Sequence, residues 1–198
     1  SEATGVLHLV HAWPDQGRTA TKHGIHPSAD MVHGCRGSQY VYRYFKDTEE
    51  LALCLAAMFR AAFPEFYLKY ERAFKAGKWT AVDPGPFLGR AIVWKLNVLP
   101  HQDGLDEGPA VIFPMGYFSG GECYLPDLKI KLTYRPGEVI ILMAGALYHA
   151  IGNWSPGEGV SEEGITPGRV GNVWFFPHSS YEVLKDKPSG WALDQAGG

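Results

Sequence analysis

The sequence predicts a mainly β fold with flanking helices, its core a double-stranded β-helix, the cupin-like jelly roll. Three observations carry this. From Arg90 onward, short apolar and aromatic segments recur with turn residues between them, at the spacing of about 8–12 positions typical of sandwiches and barrels. Aromatic residues make up 13% of the chain, beside 24 glycines and 14 prolines, a composition suited to strands and turns. Helical periodicity, by contrast, is concentrated between Asp47 and Gly77.

In chain order, residues 1–37 give no clear element. They hold five of the eight histidines, His8, His11, His23, His26 and His33. Two pairs have HxxH spacing, which on a helix can bind a metal. Gly17, Gly24, Pro27 and Gly34 interrupt any long helix, so these histidines are expected in loops. Ser38–Phe45 alternates Tyr40, Tyr42 and Tyr44 with polar residues and reads as a strand. Asp47 and Glu50 resemble a capping box. Leu51, Leu55, Met58 and Ala62 then follow at helical spacing. Pro64 opens a second helix, Phe66, Tyr70 and Phe74 continue it as a core stripe, and Gly77 falls where a C-terminal cap belongs.

Past Pro84-Gly85-Pro86 the strands begin: Arg90–Leu99, Ala110–Phe118 with Pro114 marking an edge or bulge, Glu122–Leu125, Ile130–Tyr134, Val139–Met143, Leu147–Ile151 and Val170–Phe176. Gly120-Gly121, Pro126-Asp127, Pro136-Gly137 and Gly145 punctuate them. Residues 155–167 are a polar, Gly-rich loop of the kind that serves as a lid or specificity insert. The division is residues 1–89, a strand and helices buttressing the core, and residues 90–198, the β-helix itself, within one compact domain. No internal repeat is visible.

The bulk composition excludes several classes. A chain of 198 residues with 45% hydrophobic and 20% charged residues can bury its own core. The formal net charge of −3 lacks the footprint of a strongly basic nucleic-acid binder, although a local basic stripe is compatible with it. Cys35, Cys54 and Cys123 lack CxxC spacing, which suggests a reduced intracellular setting, nuclear or cytoplasmic. No apolar run reaches membrane-span length, and no charged-then-apolar leader stands at the start, so no membrane role is expected. The first and last residues read as edges of a longer natural chain. GxSxG, Walker and GxGxxG motifs are absent.

The chemistry-bearing feature is His101-Gln102-Asp103, directly after a strand. In extended backbone, residues i and i+2 face the same way, so His101 and Asp103 can converge on one metal. His149, on a later strand, supplies a third ligand. Two histidines and one carboxylate make the facial triad of non-haem Fe(II) oxygenases and leave three positions open. Arg169, at the head of the last strand, carries a planar fork suited to a carboxylate, and if buried it needs such a partner.

The segments LNVLPHQD (96–103), YFSGGECYLPDLKIKLTYRPGEVIIL (117–142), ALYHAIGNW (146–154) and GRVGNVWFF (168–176) resemble the Fe(II)/2-oxoglutarate dioxygenase superfamily, and are similar to its TET/JBP-like group of fungal and algal type. The resemblance implies iron bound by His101, Asp103 and His149, and the 2-oxoglutarate C5 carboxylate held by Arg169. It implies Fe(II), 2-oxoglutarate and O2 as cofactors, with ascorbate as a reductant. Asn97 is implied near the C1 end of 2-oxoglutarate. Where the group often carries asparagine three residues past the aspartate, this chain has Asp106, which can accept a hydrogen bond from a substrate amino group. An intact carboxylate at Asp103 points to hydroxylation rather than halogenation.

Three functions follow. The first is hydroxylation of a methylated base such as 5-methylcytosine in DNA, with one or two of Trp94, Tyr117, Phe118, Tyr124, Tyr148 and Trp154 stacking on a flipped base. The second is the same chemistry on a small molecule or a protein side chain, favoured by the acidic charge balance. The third is a non-enzymatic jelly-roll binding module. His178 is read as the end of the last strand. Oligomeric state is not legible in the sequence.

Overall fold

The computed structural model describes residues 4–14, 24–32, 34–158 and 167–195, with the side chains of 34–36 left aside. His23, His33, the Cys35 side chain and most of the 155–167 loop lie outside the described residues.

Ten strands are described: β1 (Gly5–Val10), β2 (Gly89–Trp94), β3 (Ala110–Gly116), β4 (Phe118–Gly120), β5 (Cys123–Leu125), β6 (Ile130–Leu132), β7 (Ile140–Leu142), β8 (Ala150–Ile151), β9 (Trp154–Pro156) and β10 (Arg169–Phe175). A five-stranded antiparallel sheet runs β1-β2-β10-β3-β7. A three-stranded sheet, β6-β5-β8, and the pair β4-β9 form the smaller layer. This is the jelly-roll architecture expected. The larger sheet alternates its faces with the strand period of two. Val111, Phe113, Trp174 and Phe176 belong to the cluster shared with the helices, whereas Ala110, Ile112, Val173 and Phe175 pack with Cys123, Leu125 and Tyr134 of the smaller layer. β3, β7 and β10 thus each contribute to two cores at once.

The helices are α1 (Ala29–Val32), α2 (Gly34–Asp47), α3 (Glu49–Ala62), α4 (Pro64–Gly77), α5 (His178–Leu184) and α6 (Trp191–Gln195). Residues 38–45, read as a strand, lie in α2. Tyr40 and Tyr42 are exposed, and the inward residues are Val41, Tyr44 and Phe45. Their i, i+3, i+4 spacing is helical, and the tyrosine alternation masked it. The Asp47–Glu50 capping box does not form. Thr48 is the N-cap of α3 without a side-chain cap bond, and its hydroxyl donates to the Tyr44 carbonyl. Asp47 instead ends α2 and pairs with Arg43. The buried face of α3 is Ala52, Leu55, Ala56 and Phe59, so Met58 and Ala62 turn outward.

Pro64 does begin α4, where a missing N–H costs nothing. Gly77 acts by size rather than by a left-handed cap. A Cβ there would come within 2.5 Å of Leu184 Cδ1, so glycine lets α4 approach α5. Pro114 sits inside β3 beyond the reach of β7, which pairs only with Ala110–Ile112. Its carbonyl accepts from Gly137 N–H on that side, so the absent donor breaks no ladder bond.

β1, unread in the sequence, is an edge strand of the larger sheet. Its outer edge is closed by side chains: His8 N–H donates to Asp30 Oδ2, Val10 N–H to Ser28 Oγ, and Ser28 Oγ donates to the His8 carbonyl. Satisfying an edge this way removes a template for strand addition. Behind β1, Arg90 is 2% exposed, donates from Nη2 to Asp83 Oδ1 at 2.6 Å, and lies 3.9 Å over the Trp174 ring. Asp83 also meets His11 Nε2 at 2.9 Å, and Trp79 N–H donates to His11 Nδ1. His11 is therefore occupied in a buried structural network.

Candidate metal centre

Two backbone segments meet at the site. His101 and His149 face each other in an antiparallel bridge, each N–H donating to the other's carbonyl at 3.0 Å. Directly opposed residues of such a pair present their side chains to the same face, and the ring centroids lie 4.3 Å apart. Asp103 follows two residues after His101, its N–H held by the Ala144 carbonyl. The Gln102 side chain donates to the Ala146 carbonyl and secures the turn.

The donor atoms of His101, Asp103 and His149 all lie within 4.8 Å of one another. His101 Nε2 is 3.3 Å from Asp103 Oδ1, and His149 Nε2 is 3.7 Å from Asp103 Oδ2. Neighbouring ligands about 2.1 Å from an octahedral ion sit about 3 Å apart, so this spacing suits one divalent cation. The Nδ1 atoms lie 2.8 Å and 3.1 Å from the Leu99 and Leu147 carbonyls. Donation to those carbonyls fixes the proton on Nδ1 and turns the Nε2 lone pairs toward the centre. His101 is raised by its hydrogen bond to Asp103, against the pull of partial burial. An arriving cation would replace that proton.

The triad opens into a cavity of about 640 Å³. Its floor is the inner face of the larger sheet, where Ala91, Val93 and Gly171 supply little bulk. Arg169 closes one end. It is 3% exposed, and its guanidinium lies 5.3 Å over the Tyr134 ring and 5.7 Å over the Phe118 ring. Burial lowers its pKa, the Tyr134 hydroxyl and Cys123 thiol push the other way, and no carboxylate among the described residues pairs with it. Its Nε has no hydrogen-bond partner. A Cβ at Gly171 would come within 3.2 Å of Arg169 Nη1, so glycine leaves the fork its space. A buried guanidinium with no carboxylate partner among the described residues is costly unless an anion completes it, and a small dicarboxylate reaching from a bound metal would meet that need.

Asp106 also lines the cavity. Burial first, and then the Asp103 charge, push its pKa up to about 8, so it is neutral and can donate as well as accept at pH 7. Asn97 is exposed and stands outside the cavity wall. None of the six aromatics expected to stack forms the wall; Trp13, Tyr134 and Phe175 do. Tyr117 and Tyr148 are exposed, and Phe118 packs edge-on with Trp154 beyond Arg169. His178 begins α5 instead of ending a strand, and its Nδ1 lies 2.6 Å from Glu107 Oε2. With Glu182 these form a second His/Glu cluster, but Glu182 is held by Lys185, and the group reads as surface ion pairing.

Sequence reasoning missed His8, Trp13, Tyr134 and Gly171. The alternation Val6, His8, Val10 was a readable strand signal for the first; nothing local marked the others.

No protein-family model matches the sequence, and no curated protein does. Solved structures do. The chain is similar to NgTET1 in complex with 5mC DNA, with 17% identity over 100% of this chain and 68% of that one, at a TM-score of 0.62. OsALKBH1 aligns with 16% identity over 86% of this chain and 77% of that one, at 0.43. The viral collagen prolyl hydroxylase from Paramecium Bursaria Chlorella virus-1, as its 2OG complex, aligns with 18% identity over 45% of this chain and 58% of that one, at 0.28. The likeness to NgTET1 establishes a shared fold.

Proposed function

We propose that this protein is an Fe(II)- and 2-oxoglutarate-dependent dioxygenase that hydroxylates a substrate C–H bond. The observation that carries the reading is the pairing of two features in one cavity: three converging metal donors, and a buried arginine with no carboxylate partner among the described residues. Either alone is common. Together they suit a cation and a dicarboxylate bound side by side, and the jelly-roll fold is one that hosts such sites.

His101, Asp103 and His149 would hold the iron, and Arg169 would take the distal carboxylate of 2-oxoglutarate through two parallel, charge-assisted hydrogen bonds. When bound, iron and 2-oxoglutarate would activate O2, the oxidant: one oxygen atom would go into succinate as 2-oxoglutarate loses CO2, and the other into the substrate C–H bond as hydroxyl. The chain's own contribution is placement. The carbonyls of Leu99 and Leu147 orient the imidazoles, and Tyr134 and Phe118 brace the arginine fork.

For the substrate we infer a methylated base, 5-methylcytosine or a relative, presented from DNA. Supporting this are the fold shared with a protein solved on 5mC DNA, and the neutral Asp106 in the cavity, which can hydrogen-bond a base edge. The formal net charge of −3 supports the second reading, the same chemistry on a small molecule or a protein side chain. Succinate formation from 2-oxoglutarate with Fe(II) and ascorbate, measured with methylated and unmethylated duplex, separates the two. Stimulation by the methylated duplex alone is expected. Turnover without stimulation would move the substrate to another class, and absence of turnover with metal bound would leave a binding module.

A further inference from the structure

Beyond the metal and cofactor groups, the cavity wall takes Val6, His8, Trp13 and Pro14 from the segment that precedes the β-helix, and two of them carry polar or aromatic rings: His8 of β1 and Trp13 just after it. Their position follows from sheet register. His8 is opposite Ala91 of β2, which is opposite Val173 of β10, which is opposite Ile112 of β3. Arg169 lies on the same face of β10, four residues from Val173. With strands about 4.8 Å apart and about 3.3 Å per residue, His8 stands roughly 16 Å from Arg169, diagonally across the floor. A five-carbon dicarboxylate held by Arg169 and the triad cannot reach it. This end of the cavity is therefore space the cofactor leaves open.

Both residues are held in place by their backbones. His8 is tied through its N–H to Asp30 and through its carbonyl to Ser28. Trp13 exchanges two backbone hydrogen bonds with His26, at 2.8 Å and 3.2 Å. The rings meet edge-on, 5.7 Å apart. The His8 ring nitrogens have no hydrogen-bond partner among the described residues, although the residue is half-buried. A rigidly mounted imidazole whose nitrogens bond no described residue, beside an indole at the far end of the cavity from Arg169, is equipped to read a flat polar ring.

We propose that His8 and Trp13 are specificity-determining residues, His8 hydrogen-bonding the edge of a planar nitrogen heterocycle and Trp13 limiting its thickness. This rests on the oxygenase reading and extends it to a segment outside the β-helix. Loss of a hydrogen bond to a bound ring costs roughly tenfold in affinity.

The test uses the full chain with a 5-methylcytosine duplex as probe and three variants. His8→Phe keeps the ring and its packing on Trp13 but removes both nitrogens; His8→Asn restores a donor and an acceptor; Trp13→Ala opens the wall. Two readouts are taken: the KM of duplex and of 2-oxoglutarate in succinate formation, and duplex binding by fluorescence anisotropy in EDTA, where no turnover occurs. The expected result is a duplex KM and Kd raised about tenfold by His8→Phe, largely recovered in His8→Asn, and raised by Trp13→Ala, each beyond any change in the 2-oxoglutarate KM. If the wild type responds to the duplex but these variants shift its KM no more than that of 2-oxoglutarate, the proposal is overturned while the oxygenase reading stands. Wild-type succinate formation that ignores the duplex overturns the ring-reading role and leaves the reaction class. Absence of succinate formation with metal bound overturns both.

Discussion

Replacing Arg169 by methionine separates a cofactor anchor from a structural cation, because the two roles predict opposite outcomes. In the ligand-free protein the guanidinium is 3% exposed, meets no carboxylate among the described residues, and leaves Nε without a partner. Its stabilising contacts are the two ring faces of Tyr134 and Phe118, about 1 kcal/mol each. Burying an unpaired charge costs several kcal/mol. Methionine fills similar volume without charge, so the metal-loaded variant should be no less stable than wild type by more than about 1 kcal/mol in the absence of 2-oxoglutarate. With 2-oxoglutarate the order reverses. Losing one partner of a buried, hydrogen-bonded charge pair costs about 3 kcal/mol, on the order of 100-fold in Kd. At about 100 times the wild-type Kd, the ligand adds about 2.7 kcal/mol to wild type, which for a chain of this size is roughly 5–10 °C in Tm. Thermal melts with Mn(II), with and without 2-oxoglutarate, read both effects. A wild-type-sized ligand shift in Arg169→Met would refute the reasoning, as would collapse of the variant before any ligand is added.

The remaining predictions concern the triad and two carboxyls. His101→Ala and Asp103→Ala should each abolish stoichiometric Fe(II) or Mn(II) binding in calorimetry; retained binding would remove that residue from the centre. Asp83→Asn strands the buried Arg90 and should cost about 3–5 kcal/mol, roughly 10 °C in Tm. Burial alone would raise Asp83, but the Arg90 guanidinium and then His11 outweigh it and hold its pKa low. Its stabilisation is thus present above the unfolded carboxyl value and lost as pH falls through the folded one, so wild type, unlike Asp83→Asn, should lose this increment on acidification below about pH 4. Asp106 has the opposite sign. Because its folded pKa is pushed up to about 8, the folded state keeps a proton that the unfolded state releases, and stability declines as pH rises from about 4 toward 8. Asp106→Asn should therefore stabilise the metal-free protein at pH 8, by up to about 5 kcal/mol, and not at pH 4, as urea titrations at the two values would show.

Much of the fold and centre was legible because it depends on local periodicity. Strand alternation and turn residues after Arg90 marked the jelly roll, and the i, i+2 rule put His101 and Asp103 on one side. The errors have physical sources as well. Residues 38–45 carry both an alternation of tyrosines and a Val41, Tyr44, Phe45 stripe, and only packing against Leu9 and Met31 selects the helical one. Asn97 lies three residues beyond the end of β2 at Trp94 and is exposed, a placement the sequence pattern does not show.

The residues of the candidate centre are written in the chain, since donor chemistry and spacing are properties of the chain. What closes the cavity is not. His8 and Gly171 reach the same space through strand pairings between segments far apart in sequence, and Trp13 and Tyr134 join them from beyond the ends of β1 and β6. An edge strand near the N-terminus, two strands away from β10, carries no local mark of the neighbour it will have. Periodicity records which face of an element is buried. Which other faces it meets, and what volume they leave between them, is decided by long-range packing alone.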